Sequence, residues 1–173
     1  MKQSLLIVRV EPEYCNYLRK HDNKVTHNMD VKEIRPFVGI LFNIMDCEYF
    51  APLSSPKPKH LKMKNMIDFI KIKNGELGAV NFNNMIPVTS DNYVLVDLKQ
   101  EKNLTYEESK YRYMLNYQLN WLNKNIVQVH NKSLNLYVKY IENRLSNKVK
   151  DRCCNFPLLE KKCIEYNIEK IVI

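Results

Sequence analysis

The sequence predicts an α+β fold: a small antiparallel sheet closing as a barrel-like core, with helices concentrated in the C-terminal half. Three observations predict it. Short β-rich runs separated by turns recur as far as residue 98. A capping box at Thr105 and Glu108 then opens a long amphipathic pattern. No internal repeat, low-complexity tract or linker divides the chain, so its 173 residues are expected to form a single domain.

The elements follow in order. "SLLIVRV" (4–10) is a first strand, and Pro12 opens a helix carrying Tyr14, Tyr17 and Leu18 at helical spacing. Residues 21–34 lack periodicity and read as a long loop. "PFVGILFNIM" (36–45) and "EYFAPL" (48–53) form a hairpin across a tight Asp46–Cys47 connection. "IDFIKI" (67–72) and "LGAVNF" (77–82) form a second, and "MIPV" and "YVLVDL" add short strands. From Thr105 an apolar face runs Tyr111, Leu115, Leu119, Leu122, Ile126, Val129. Leu134, Val138, Ile141 and Leu145 suggest the next helix. Asn155 caps "PLLEKKCIEY", and "EKIVI" ends the chain as a strand or tail.

Composition bounds the function. Hydrophobic residues at 45% and eleven tyrosines suffice for a packed core. A formal net charge of +8 favours an anionic partner, nucleic acid first. The five cysteines contain no C-x-x-C pair, which suits small buried hydrophobes in a reducing cytoplasm rather than a zinc site. No apolar run is long enough for a membrane span. With three glycines and no G-x-G-x-x-G or Walker loop, nucleotide cofactors of those classes are disfavoured, and no cofactor is expected. The carboxylates are scattered, which disfavours a two-metal nuclease.

"APLSSPKPKH" (51–60) is the segment with chemistry. No Asp or Glu lies between Glu48 and Asp68, and hydroxyls stand beside cations there. Cleaving RNA without metal requires an in-line 2′-hydroxyl, one proton acceptor, phosphorane stabilisation and protonation of the leaving 5′-oxygen. Hydroxyls grip non-bridging oxygens, and Lys or Arg neutralises the added charge. Pro56 and Pro58 stiffen the backbone around Lys57. A solvated surface loop has the same composition, and a lone His60 in it reads as a surface residue before an acid–base catalyst. Tyr111, Tyr113 and Tyr117 read as helix packing rather than base-stacking platforms.

"FVGILFNIMDCEYFAPLSSPKPKH" resembles the signature of the ToxN/AbiQ family of type III toxin–antitoxin endoribonucleases. That signature is a "GI" strand, then Y-x-APL, Ser or Thr, S-P-K, and a histidine soon after. "LGAVNFNNMIPV" (77–88), "YRYMLNYQLNWLNKN" (111–125) and "CCNFPLLEKKC" (153–163) agree with it as well. The resemblance implies a barrel similar to MazF/Kid-type toxins. It implies metal-independent cleavage of cellular or phage RNA to a 2′,3′-cyclic phosphate and a 5′-hydroxyl. It also implies inhibition by a pseudoknot antitoxin RNA in a closed heterohexameric ring of alternating toxin and RNA, with growth arrest and abortive phage infection as output.

Carried onto this chain, the catalytic set is Ser54, Ser55 and Lys57, with Arg35 just before the "GI" strand stabilising the phosphorane. The general base is open between Ser55, Lys57 as a neutral amine, and His60. Tyr14 and Tyr17 are expected to line the RNA groove, with Lys24, Lys59, Lys62 and Lys64 on phosphates. Two other readings stand beside this one: a non-catalytic RNA-binding module, and a protein-directed toxin on the same fold.

Overall fold

The computed structural model describes residues 4–27 and 35–172. In chain order the first elements are β1 (Leu6–Val10), α1 (Pro12–His21), β2 (Phe37–Gly39), β3 (Asn43–Ile44), β4 (Cys47–Ser54) and α2 (Pro58–Lys62). Then come β5 (Phe69–Lys71), β6 (Ala79–Asn81), β7 (Ile86–Val88) and β8 (Tyr93–Leu95). The helices α3 (Tyr106–Lys124), α4 (Ile126–Ile141), α5 (Asn147–Lys150) and α6 (Phe156–Val172) complete the α+β order.

β4 organises the sheet. Six of its eight residues are buried, the mark of a strand covered on both faces. Its first half pairs β3 and β7, and its second half pairs β2 and β6. β2 and β3 thus act as one interrupted partner strand, close to the single strand expected over 36–45, and β6 and β7 as another. All pairing is antiparallel along the path β5-β6-β4-β2-β1-β8.

The expected barrel does not close among the described residues, because β5 and β8 end that path without pairing each other. The sheet curls nonetheless. Tyr93 of β8 packs its ring 4.8 Å from that of Phe50 in β4 and donates to Glu48 Oε2 at 2.9 Å. α3 packs beside β1 and the Ile72–Gly75 segment. The Asn123 side chain accepts from Leu5 N at 2.8 Å and donates to Leu5 O at 3.2 Å, as a neighbouring strand would. Gln118 donates to Leu77 O at 2.6 Å, just before β6. Backbone groups just before β1 and β6 thus find helix amides as partners.

Pro12 stands in the first turn of α1, and the Thr105–Glu108 capping box forms in both directions. The apolar face read as one helix to Val129 is broken at Asn125, between α3 and α4. Asn125 leaves helical geometry at φ −111° and ψ 23°, and its Nδ2 donates to Trp121 O at 2.8 Å. The α4 face also differs from expectation. Leu134 and Ile141 are exposed while Val129, Ser133 and Leu136 are buried. Aromatic packing selects that face: Tyr137 and Tyr140 both meet Phe156, and Tyr137 shares Glu160 Oε1 with Tyr49.

Asn155 Oδ1 accepts from Leu158 N at 3.3 Å and opens α6, which carries the chain through Val172 as helix rather than strand or tail. All five cysteines are free and buried. Residues 28–34 of the expected long loop lie outside the described residues. No helix among the described residues is long and apolar enough to cross a membrane.

Candidate active site

The Ser54–Lys57 turn leaves the end of β4 with both of its ends fastened. At the first end, Ser54 pairs with Ala79 of β6. Its Oγ accepts from Asn81 Nδ2 at 3.0 Å, and its carbonyl accepts from Gln118 Nε2 at 3.4 Å. Gly78, at φ +93°, lies directly over this point: a Cβ there would fall 2.0 Å from Ser54 O. Only a residue without a side chain permits that approach.

At the second end, Pro58 stands in the first turn of α2, and Lys57 precedes it at φ −139°, ψ 146°. This is the extended geometry that a following proline imposes. His60 N donates to Lys57 O at 2.9 Å, closing the turn. The His60 side chain then anchors it, being only 2% exposed and 6.1 Å from the Phe69 ring between centroids. Gly75 lies so close to the His60 backbone that a Cβ would sit 2.5 Å from its carbonyl oxygen.

Between these anchors Ser55, Pro56 and Lys57 are exposed, and Lys59, Lys62 and Lys64 continue the exposed cationic surface. Arg35 joins them through strand register. Phe37 pairs with Pro52, and Pro36 O accepts from Leu53 N at 2.9 Å. One more step of that antiparallel register sets Arg35, itself exposed, beside Ser54. Ser54, Ser55, Lys57 and the register position of Arg35 therefore all fall at this end of β4.

The other expected site residues divide. His60 is not the solvated loop residue its setting suggested. Its Nδ1 is buried with no hydrogen-bond partner among the described residues. Burial, then the charges of Lys59 and Lys57, hold the imidazole pKa below its ordinary value and favour the neutral ring.

Tyr14 does not line a groove. It is fully buried, donates to Pro87 O at 2.7 Å and packs against Tyr166 of α6. Pro87 pairs with Tyr49, five residues and about 17 Å of strand from Ser54. Tyr17, half-buried, joins the same α1–α6 contact, 4.8 Å from Tyr166 between ring centroids. A ten-residue amphipathic helix packs one face, and here α6 takes the face that carries both tyrosines.

Lys24 also serves structure. Its Nζ donates to Cys153 O at 3.0 Å, tying the end of α1 to the turn before α6. Gln118, Asn81 and Gly78 are the supporting residues that motif reading passed over. Gln118 carried a signal: it is a polar residue on the buried line of Leu115 and Leu122.

A model of the toxin ToxN family of type III toxin–antitoxin systems matches residues 6–163. The chain belongs to the ToxN family. It is 32% identical to the endoribonuclease ToxN of Bacillus thuringiensis subsp. kurstaki, covering 91% of this chain and 81% of that protein. It is 30% identical to the endoribonuclease ToxN of Pectobacterium atrosepticum, with 92% of each covered. Among solved structures of the family, one described as selective toxin inhibition by a non-coding RNA pseudoknot matches with a TM-score of 0.79. Identity to it is 31%, over 95% of this chain and 99% of that one. The lactococcal anti-phage endoribonuclease AbiQ matches with a TM-score of 0.81 at 27% identity, over the same shares. The ToxN model spans the whole Ser54–Lys57 turn, the β6 approach above it and the helix carrying Gln118.

Proposed function

We propose that this chain is the endoribonuclease toxin of a type III toxin–antitoxin system, acting as one domain and restrained by a structured antitoxin RNA. The observation that carries the reaction is the exposed Ser55–Lys57 turn, anchored at both ends, beside Arg35 and without a carboxylate in the segment. The substrate 2′-oxygen attacks the adjacent phosphorus and forms the 2′-O–P bond while the P–5′-O bond breaks. The 2′-proton leaves to a base and a proton reaches the 5′-oxygen, giving a 2′,3′-cyclic phosphate and a 5′-hydroxyl. Ser55 holds a non-bridging oxygen, with Ser54 fixing the turn behind it. Lys57 and Arg35 stabilise the phosphorane charge. His60 acts through position, since its packing sets where Lys57 stands.

The curl that brings Tyr93 onto Phe50 supports a barrel-derived architecture of the MazF/Kid type. The cationic surface on both sides of the turn suits an antitoxin RNA, with toxin and RNA alternating in a closed ring. Output in the cell is growth arrest during phage infection.

Expression without antitoxin RNA tests this reading. Wild type is expected to arrest growth, and Ser55→Ala to abolish the arrest at equal abundance and unchanged Tm, because an exposed hydroxyl contributes little stability. Undiminished toxicity of Ser55→Ala would contradict the assignment.

A further inference from the structure

We propose that one flank of α3 is a stacking surface for single-stranded substrate RNA running on from the scissile phosphate, an inference that rests on the endoribonuclease reading above. Tyr106, Lys110, Tyr113, Tyr117 and Lys124 follow one another at steps of four, three, four and seven. At 3.6 residues per turn these positions fall within about 60° of one another around the axis. The three tyrosines are 76%, 51% and 61% exposed, and both lysines are exposed as well. Tyr113 and Tyr117 are therefore not the packing residues that the sequence suggested. The core side of α3 is filled by Leu115, Gln118 and Leu122 instead.

The composition of this flank points to one class of occupant. Exposed aromatic rings alternating with cations supply π faces for bases and charge for phosphates, without reading sequence. The Lys110 ammonium already lies 6.0 Å from the Tyr106 ring centroid. The stripe itself holds no carboxylate: Glu107 lies about 60° beyond Lys110, and Glu108 is folded into the capping box on the far side. An acidic protein partner would need only the lysines, whereas stacked bases also account for three rings in the solvent.

Placement connects the stripe to the reaction. Gln118, about a quarter-turn around the helix from Tyr117, donates to the carbonyl of Ser54, so the stripe lies on the flank adjoining the turn. The segment Ile72–Gly75 lies against both α3 and α2, so helix, turn and cationic loop are neighbours. Tyr113 and Tyr117 are separated by about 6 Å of helix rise, which lets each ring take the base of a different nucleotide.

The test is fluorescence anisotropy with a single-stranded RNA of mixed sequence, about 16 nucleotides long and 2′-O-methylated throughout so that it is not cleaved. Tyr113→Ala and Tyr117→Ala are each expected to weaken binding by about tenfold or more, the scale of losing one stacked base. Tyr113→Phe and Tyr117→Phe should bind like wild type, since the ring is kept. An oligonucleotide of about four nucleotides, too short to run from the turn along the helix, should bind all variants equally.

Unchanged affinity of both alanine variants for the longer RNA overturns the stripe. Phenylalanine variants as weak as alanine overturn stacking, and equal losses on the short RNA place the tyrosines at the scissile phosphate rather than along a strand. Weakened binding of antitoxin RNA alone makes the flank an antitoxin surface and overturns the substrate proposal. Wild type that binds neither length overturns the endoribonuclease reading itself, which separates that failure from failure of the stripe.

Discussion

Lys57→Ala is expected to lower kcat for RNA cleavage by about 10²–10³-fold, the cost of deleting one preorganised donor to a developing oxyanion. The loss should fall on kcat more than on KM, because the phosphorane charge proposed as the partner of Lys57 exists only in the transition state. Preorganisation makes the effect large. Lys57 is held extended by Pro58, and the turn is closed by His60 N on its carbonyl. Lys62 and Lys64 are exposed charges further along the segment. Their alanine variants should weaken RNA binding modestly with kcat unchanged. Lys57→Arg separates two roles, since it keeps the charge and alters reach and geometry. Near-full activity assigns Lys57 to electrostatic stabilisation, whereas loss of activity with RNA affinity intact assigns proton transfer or strict placement. Steady-state kinetics on one RNA decide between them, and a wild-type rate in Lys57→Ala would reduce the segment to a solvated loop.

Gly78→Ala is the second large effect, and it acts through the backbone. The new methyl would lie 2.0 Å from Ser54 O and 3.0 Å from Ser55 C, at φ +93°. Ser54 cannot yield freely, because it is laddered to Ala79 and accepts from Gln118. Backbone strain of about 1–3 kcal/mol and overpacking of about 1–3 kcal/mol together give a destabilisation of about 2–6 kcal/mol. For a chain of this size that lowers Tm by roughly 5–20 °C. The folded fraction should also cleave slowly, since relief of the clash moves the Ser54–Ser55 backbone. Thermal melts with cleavage assays below the transition test both parts. An unchanged Tm with full activity would mean that the β4–β6 approach does not position the serines.

Local chemistry was legible in the sequence, and faces and pairings were legible only in part. The Thr105–Glu108 box, Pro12 in the first turn of α1 and the Asn155 cap each depend on a few adjacent residues, and each forms. The Ser54–Ser55–Lys57 cluster was visible because its chemistry is contiguous. Arg35 is carried toward Ser54 by the register between β2 and β4, which no short window contains. Tyr14 and Tyr17 went the other way. Helical spacing showed that they share a face, but only the position of α6 decides that both rings pack against Tyr166. Asn125 divides one apolar stripe into two helices through its own backbone, at φ −111° and ψ 23°, a local departure that periodicity does not register. Barrel closure depends on which strands end the sheet, and no short window shows that β5 and β8 do so without pairing each other.

The most direct measurement follows the ends of the cut RNA. Purified protein is incubated with single-stranded cellular RNA in excess EDTA, and the termini of the fragments are determined. The expected result is cleavage at full rate, leaving 2′,3′-cyclic phosphates and 5′-hydroxyls, with none from Ser55→Ala prepared in the same way. Cleavage that appears only when Mg²⁺ is restored, or fragments bearing 5′-phosphates, would contradict transesterification by the Ser55–Lys57 turn.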